Sequence, residues 1–377
     1  MIKMKIDDAR LSKLSEFSGY LDNDKVTELF NLFDIKFAAG HWCAGDFIDR
    51  FATNGYNDPN LLSSDIIDQM ARVAKAKIEG IEFHDNIFLD ENGRIDRDRI
   101  NEIKEALEKY KLVPTNMNTN LWGSPKWKLG GVTNPDKKLR EEAVQTLLNA
   151  IDIAKELGCG SVAYWPGSDG WDYNFQANYG TILKYFVDAC VEVNKEAKKK
   201  GLKFAIEAKL HEPREGCIII GTTEKAGLVC VQVNNICGGT NMGVAIDYGH
   251  VQMYAGEPAD NLYTMKQFGV PVHNFHINNA KLHSNDEDRI TGTGDIWRLI
   301  DFCYAAIDTN YQGWFGEDQF EYRTDPIQAM TLSRELFGNC MKKALLIYSK
   351  KKELLEAQAT GDAVKTINIV KKIIYNE

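Results

Sequence analysis

Two stretches of similar design lie near the middle of the chain: residues 202–207 read LKFAIE, and residues 242–250 read MGVAIDYGH. Each contains a short apolar run that ends on a carboxylate, and a segment with helical periodicity follows it. A short strand followed by a helix is the repeating unit of parallel α/β folds. The fold class therefore depends on how often this unit recurs along the chain.

The same alternation extends over most of the sequence and gives eight strand candidates. These are Ile35–Gly40, Ile78–His84, Leu112–Asn118, Ser161–Trp165, Leu202–Glu207, Met242–Asp247, Val272–Asn278 and Gly313–Glu317. The helical segments between them are Ser64–Ile78, Asp96–Tyr110, Lys137–Leu157, Tyr179–Lys200, Thr222–Val233, Ala259–Phe268 and Asp295–Asp308. Eight such units at intervals of roughly 30–40 residues predict an α/β protein with a (β/α)8 TIM barrel. A doubly wound sheet is disfavoured because no glycine-rich phosphate-binding turn follows the first strand.

Two segments lie outside the predicted barrel, which we place at residues 31–325 as the catalytic domain. Residues 1–30 form a polar N-terminal lead-in, and residues 326–377 are a helical extension. A lysine-rich helical tail without its own core either packs on a neighbouring subunit or folds back on its own barrel. The first alternative predicts a homo-oligomer, a dimer or a tetramer.

The overall composition limits the classes of function. Of the 377 residues, 44% are hydrophobic and 26% are charged, which is typical of a soluble globular protein. A net charge of -9 argues against a nucleic-acid partner, because phosphate contacts require a basic surface. We find no signal peptide and no apolar run of membrane-spanning length, and expect a cytoplasmic protein with no membrane partner. The eight cysteines show no C-x-x-C pairing, so we expect reduced packing residues.

Oxygen and imidazole donors follow the later strand candidates, where a TIM barrel carries its catalytic groups. They are Glu207, Asp247, His250, His276, Asp286, Asp288 and Asp318. Each one alone has a simpler explanation, since an Asp at a strand end is often a helix N-cap and a lone His is often structural. Together they would bring many like charges into one place, which is unfavourable unless cations neutralise them. We therefore predict a paired site for two divalent ions, Mg, Mn or Co.

Several of these residues stand in longer motifs that occur in a fixed order. The motifs are FAIEAKLHEPR at 204–214, GH at 249–250 after Asp247, DED at 286–288 followed by GTGD at 292–295, FHD at 83–85, NLW at 120–122 and the loop at 162–170. Over roughly residues 30–340 the sequence resembles the xylose isomerase-like superfamily of TIM barrels, and specifically its two-metal aldose–ketose isomerases.

Three positions depart from the xylose isomerases. Those enzymes have an Asp where this chain has Ile87, which leaves open whether His84 has an acidic partner for ring opening. Their bridging metal ligand is a Glu where this chain has Asp247, and their strand-seven ligand is an Asp where it has Asn278. L-rhamnose isomerases are more similar here, with an Asp followed by a His three residues later and a strand-seven His in an F-H-x-N context. On that pattern we expect His276 rather than Asn278 to bind metal.

The resemblance implies a role for each matching residue. It assigns one metal to Glu207, Asp247, His276 and Asp318, and the second to Asp247, His250, Asp286 and Asp288. It assigns catalysis to Lys209, His84 and Asp288. It assigns substrate contacts to Trp42, Trp122, Trp165, Asn278 and His211. The implied enzyme is an isomerase that interconverts a free aldose and its ketose by a metal-assisted hydride shift.

Other functions within this superfamily stay open. A ketose 3-epimerase would use one metal held by Glu, Asp, His and Glu, whereas Asp318 and the additional D-x-D pair favour the isomerase. A catalytically inactive sugar-binding relative would need neither Lys209 nor a second metal. A related abasic-site endonuclease would have many histidines and a basic surface, which seven His and a charge of -9 disfavour.

Overall fold

The predicted barrel is confirmed by a computed structural model, which describes residues 4–45, 55–56, 62–212, 216–320 and 322–376. Eight parallel strands close into a barrel, and each pairs with its neighbours in chain order until the eighth pairs with the first. They are β1 Phe37–Gly40, β2 Gly80–His84, β3 Val113–Asn118, β4 Ser161–Tyr164, β5 Lys203–Glu207, β6 Met242–Asp247, β7 Val272–Ile277 and β8 Phe315–Glu317. The strands begin and end within a few residues of the predicted bounds.

Helices surround the barrel and follow the strands as expected. They are α1 Asp8–Leu11, α2 Asn23–Phe33, α3 Ile66–Lys75, α4 Arg97–Tyr110, α5 Lys137–Leu157, α6 Tyr179–Lys200, α7 Thr223–Cys237, α8 Tyr248–Met253, α9 Pro258–Gln267, α10 Ile296–Asp308, α11 Pro326–Tyr348, α12 Lys351–Gln358 and α13 Ala363–Asn376. Gly158 and Gly201 end α5 and α6 in the left-handed conformation, as the Leu-Gly and Lys-Gly pairs predict. In the part of the chain that the structure describes, no helix has the length and apolar character needed to cross a membrane.

The barrel interior is polar on one side and apolar on the other. Ala163, Ala205 and Ala245, on β4, β5 and β6, form a small apolar cluster separate from the main core. Buried polar side chains from β2, β3 and β7 form the other part of the interior. They are Glu82, Asn116, Asn118, Asn274 and His276. The interior therefore carries a hydrogen-bonded network below the site, where most TIM barrels have packed aliphatic layers.

The helical extension packs on its own barrel. Phe337 of α11 is fully buried, and its ring lies 5.5 Å from that of Phe37 on β1 and 5.0 Å from that of Phe315 on β8. The chain then turns back, and Lys343 donates hydrogen bonds to the carbonyl oxygens of Ile373 and Ile374 in α13. These contacts match the second of the two predicted alternatives for the tail. The homo-oligomer stays a prediction.

Replacing Phe337 with Ala is expected to lower the free energy of unfolding by about 3–5 kcal/mol, because it removes a ring that joins α11 to the seam between β1 and β8. Chemical denaturation followed by circular dichroism measures this change. Leu332→Ala on the same helix is the control, since Leu332 is 40% exposed, and we expect less than about 1 kcal/mol. Equal losses in the two variants would contradict the packing described here.

Candidate active site

The strand register brings three predicted ligands together at the C-terminal rim of the barrel. Glu207, Asp247 and His276 occupy the ends of β5, β6 and β7, and Asp247 pairs directly with His276 in the sheet. Asp318 follows the last residue of β8. Glu207, Asp247 and His276 are almost inaccessible to solvent, and Asp318 opens slightly to the cavity. Four elements that are distant in sequence thus deliver four donor groups to one point.

These four residues form what we call the first ligand group: Glu207, Asp247, His276 and Asp318. One ligand atom from each lies within 4.8 Å of all the others. Nδ1 of His276 is 3.2 Å from Oε2 of Glu207 and 3.2 Å from Oδ2 of Asp318. The indole of Trp42 donates a hydrogen bond of 2.6 Å to the other oxygen of Asp318, which fixes the orientation of that carboxylate.

A second ligand group shares Asp247 with the first and adds His250 and Asp286. Its three ligand atoms also lie within 4.8 Å of one another. Nδ1 of His250 donates to the carbonyl oxygen of Ala208 at 2.9 Å, so Nε2 faces Oδ2 of Asp286 at 3.0 Å. Asp247 also accepts a hydrogen bond from the backbone N–H of His250 and caps α8. The simple N-cap explanation of Asp247 is therefore correct without excluding a ligand role.

Asn278 connects the second ligand group to Asp288. Its amide donates to Oδ2 of Asp247 at 3.1 Å and to Oδ1 of Asp288 at 3.0 Å, and its oxygen accepts from the N–H of Gly249. The residue is fully buried, so its observed contacts are with carboxylates rather than with the cavity. Asp288 lies beside the second group with a left-handed backbone, φ 41°, which is uncommon outside glycine. Its predicted role as a ligand stays a prediction.

Burial and mutual repulsion displace the pKa values of these groups. Burial raises the pKa of Asp247 to about 7, against the opposing effect of His250. Burial also raises the pKa of Asp288 well above its usual value, with the Asp286 charge adding to the effect. Burial alone would lower the pKa of His250, but Asp247 and Asp286 raise it to about 9. The protein without metal therefore retains protons at positions where cations would otherwise neutralise charge.

The two groups are suited to divalent ions. Nδ1 of His276 and Oδ1 of Asp286 are buried without a hydrogen-bond partner in the described part of the chain. Buried polar atoms are normally paired, and such exceptions often mark the position of an ion. Carboxylate oxygens with one imidazole in each group are suitable ligands for Mg, Mn or Co. The donor set thus fits two ions that share Asp247.

A cavity of about 480 Å³ opens above the ligand groups, with carboxylates on one side and aromatic rings on the other. The rings of Trp42 and His84 are stacked with their centres 4.2 Å apart. The ring centres of Trp122 and Trp165 lie 4.7 Å apart in an edge-to-face arrangement. Burial lowers the pKa of His84 well below its usual value, so this imidazole is neutral. Trp42, His84, Trp122 and Trp165 all line the cavity, as predicted, and the cavity is large enough for a sugar beside the ions.

Lys209 lies at the boundary between the cavity and the second ligand group. Its Nζ is 2.9 Å from Oδ2 of Asp286 and 2.8 Å from Oε2 of Glu212, and it lies 5.0 Å from the Trp165 ring centre. Burial would lower the pKa of Lys209, but Asp286 and then Glu212 raise it above its usual value, so the ammonium stays charged. His211, two residues further on, is half-buried and is not among the described residues that line the cavity. Pro213 and Arg214 of the same motif lie outside the described residues.

A family model described as the xylose isomerase-like TIM barrel matches residues 70–340. The chain belongs to this family. The predicted resemblance is confirmed at that level.

Solved structures with the same fold include several sugar epimerases. A D-tagatose 3-epimerase-like protein is 20% identical, with 84% of this chain and 100% of that chain covered and a TM-score of 0.60. L-ribulose 3-epimerase is 15% identical, with 86% and 99% covered and a TM-score of 0.63. D-psicose 3-epimerase is 16% identical, with 77% and 94% covered and a TM-score of 0.54. At these identities the similarity shows a common fold.

One buried residue of this xylose isomerase-like barrel was missed by the reading of the sequence. Glu82 on β2 is fully buried and accepts hydrogen bonds from Asn274 and His276 on β7. Side chains two apart on a strand share a face, so Glu82 must point the same way as the predicted site residue His84. That periodicity was the available signal, but it does not identify the partner of the carboxylate.

Metal binding to this barrel is expected to release protons and to strengthen as pH rises. In the metal-free protein Asp247 is protonated below about pH 7 and His250 below about pH 9, and both must lose their protons to act as ligands. Affinity for the second ligand group should therefore rise about tenfold per pH unit for each proton displaced. Calorimetric titration with Mg²⁺ between pH 6 and 8.5, in two buffers of different ionisation enthalpy, measures both quantities.

His250→Gln is the matched variant for this titration. It removes the group that titrates near pH 9, so proton release on metal binding between pH 7 and 8.5 should fall by about one proton per chain. Release from Asp247 and from His276, whose pKa burial would lower but Glu207 and Glu82 hold well above its usual value, should persist. Affinity that does not change with pH in the unmodified protein would contradict the assigned protonation states.

Proposed function

We propose that this protein is a metal-dependent aldose–ketose isomerase that acts on a free sugar. The observation that carries the proposal is the second ligand group, Asp247, His250 and Asp286, with Lys209 held against Asp286. A one-metal enzyme has no need for these additional charged groups in a buried position, where their desolvation is unfavourable. A second cation site next to the ammonium of Lys209 suits a reaction in which negative charge moves between the oxygens of two adjacent sugar carbons.

The two ligand groups would hold two divalent ions, the first by Glu207, Asp247, His276 and Asp318, and the second by Asp247, His250 and Asp286 with Asp288 beside it. When bound, such ions polarise a carbonyl group and neutralise alkoxide charge. The sugar chain would lie along the carboxylate side of the cavity with its first two carbons toward Lys209. This placement follows from where the fixed positive charge lies.

The isomerisation moves a hydrogen with its electron pair from C2 to C1, while one proton leaves O2 and one reaches O1. The ammonium of Lys209 can donate a hydrogen bond to the oxygen that gains negative charge. Asp288 lines the cavity beside the second ligand group, so its carboxylate can take the proton that leaves O2 and return it to O1. The atoms balance within the substrate, and no external reductant is needed.

The aromatic side of the cavity has two tasks in this proposal. Trp42, Trp122 and Trp165 exclude water from the carbons between which hydrogen moves, which prevents exchange with solvent. The neutral imidazole of His84, fixed by its stacking on Trp42, can accept the proton of the anomeric hydroxyl of a closed sugar and then give that proton to the ring oxygen as the ring opens. We assign ring opening to His84 without an acidic partner, since Ile87 stands where the xylose isomerases have Asp.

A ketose 3-epimerase is the second candidate. The first ligand group alone could hold one ion beside two carboxylates, Glu207 and Asp318, and three solved structures of the same fold are named as 3-epimerases or as similar to one. That reaction removes and returns a proton at C3, which exposes the migrating hydrogen to exchange with solvent. The two candidates therefore predict different isotope patterns.

Incubation of the Mn²⁺-loaded protein with a panel of aldoses in D2O, followed by removal of the metal and proton NMR, distinguishes them. We expect a ketose without deuterium at C1, and the aldose that reacts identifies the substrate. A ketose panel run in parallel that shows inversion and deuterium at C3 would replace the isomerase with the epimerase. Stabilisation by a sugar without conversion of any sugar would indicate an inactive binding relative.

Asp286→Asn tests the second ligand group directly. It removes a ligand and the charge that holds Lys209, so we expect isomerase activity to fall by at least about 100-fold, in the range seen for loss of electrostatic stabilisation. Glu287→Gln is the control, because this neighbouring carboxylate accepts from the backbone N–H of Lys281 instead. Activity that survives Asp286→Asn within threefold would contradict a two-metal mechanism.

A further inference from the structure

A fully buried carboxylate lies behind the first ligand group, on the barrel axis. Oε2 of Glu82 accepts hydrogen bonds from the amides of Asn116 at 3.1 Å and Asn118 at 3.0 Å, and from Nε2 of His276 at 3.1 Å. Oε1 accepts from the amide of Asn274 at 2.9 Å. Four donors from two other strands thus converge on one side chain that no solvent reaches.

The hydrogen bonds of this network run in one direction, from Ser161 at one end to Glu82 at the other. The hydroxyl of Ser161 donates to Oδ1 of Asn116 at 2.7 Å, so the Nδ2 group of Asn116 is left as donor toward Asn118 and Glu82. Oδ1 of Asn118 accepts from Asn116, so its own Nδ2 also faces Glu82. Every group around Glu82 therefore donates, and hydrogen bonds of this kind favour the charged form of a carboxylate. Glu82 is thus the acceptor in all four of these contacts.

The contact with Glu82 determines the orientation of His276. The imidazole contacts Glu82 through Nε2 and the first ligand group through Nδ1. Since Glu82 can only accept, Nε2 must carry the hydrogen, and the lone pair of the neutral ring then lies at Nδ1, beside Glu207 and Asp318. In the second ligand group, the backbone carbonyl of Ala208 accepts the Nδ1 hydrogen of His250. This carbonyl is a weaker acceptor than Glu82 because it is neutral.

β8, which is separated from β2 only by β1, provides the space for this carboxylate. A Cβ atom on Gly316 of β8 would lie 2.3 Å from Oε1 of Glu82 and 3.0 Å from the carbonyl oxygen of Phe275. The glycine at this position therefore allows the carboxylate to lie on the axis. The space for the carboxylate comes from β8, whereas its hydrogen-bond donors come from β3 and β7. An accidental arrangement is therefore a poor explanation.

We propose that Glu82 is a positioning residue for metal binding. It holds His276 with its Nε2 hydrogen toward the barrel axis and its Nδ1 lone pair toward the first ligand group, and its negative charge makes the imidazole a stronger ligand. The inference rests on the proposed function only in requiring that a metal binds at the first ligand group. It applies equally to an isomerase and to an epimerase.

Glu82→Gln tests the proposal, with Mn²⁺ binding measured by the EPR signal of free Mn²⁺. We expect the affinity of the first ligand group to fall about 10–100-fold, the usual effect of losing a partner that orients a ligand, and that of the second to change less than about threefold. Asn274→Ser is the matched control, since it disturbs the same network but leaves the contact between Glu82 and His276. Circular dichroism of both metal-free variants shows whether they fold. Equal losses in the two variants, or full affinity in Glu82→Gln, would overturn the proposal.

A measurement on the unmodified protein decides the point if Glu82→Gln does not fold. The chain has seven histidines, so a ¹⁵N-histidine NMR spectrum of the Zn²⁺-loaded protein is sparse, and His276→Gln identifies the signal. We expect a hydrogen on Nε2 of His276 and none on Nδ1. A hydrogen on Nδ1 would overturn the role of Glu82.

These results separate the role of Glu82 from the proposed function. Normal Mn²⁺ binding with the expected effect of Glu82→Gln, but no conversion of any aldose, overturns the isomerase alone. Isomerase activity with unaltered Mn²⁺ affinity in Glu82→Gln overturns the role of Glu82 alone. Failure of the unmodified protein to bind Mn²⁺ overturns both.

Discussion

Repulsion between buried carboxylates is the constraint on which the rest of this barrel depends. Two unit charges 4 Å apart interact by about 4 kcal/mol at an effective dielectric constant of 20, and the C-terminal rim holds several such pairs. The protein offsets the repulsion in three ways. Lys209 forms an ion pair with Asp286, the imidazoles of His250 and His276 lie between carboxylates, and the amide of Asn278 bridges two of them. Protons neutralise the remaining negative charge in the metal-free protein, and cations would neutralise it in a metal-loaded one.

The layer below the rim follows from the same constraint. A histidine between carboxylates could rotate or change the nitrogen that carries its hydrogen, and either change would remove a ligand. Glu82 prevents this for His276, and the carbonyl of Ala208 does so for His250. The carboxylate in turn requires donors on every side, which accounts for the asparagines of β3 and β7 in a barrel interior that is usually aliphatic. Gly316 of β8 provides the room for the carboxylate.

The sequence was sufficient for the barrel and for most of the rim, because both depend on local patterns. A strand that ends on Asp247 with a His three residues later predicts that both side chains meet, and their ligand atoms lie within 4.8 Å of each other. The contact between Glu82 and His276 joins residues 194 apart, and it depends on how eight strands close. Asn278 shows the same limit, since strand periodicity places it inward but cannot show that Asp288 returns to accept its amide hydrogen. Contacts between strands depend on the register with which the strands of the barrel pair, and no local sequence pattern specifies that register.

The arrangement also indicates how one barrel can serve two chemistries. The first ligand group, with two carboxylates beside one ion, is sufficient to remove and return a proton at a sugar carbon. The second group adds positive charge on one side of the same cavity, at Lys209 and His250, and an ion bound there would add more. Positive charge there stabilises negative charge on the oxygens without requiring a base at carbon, which favours transfer of hydrogen with its electron pair. On the proposed function, Asp286 would set the balance between the two reactions, because this carboxylate contacts both Lys209 and His250.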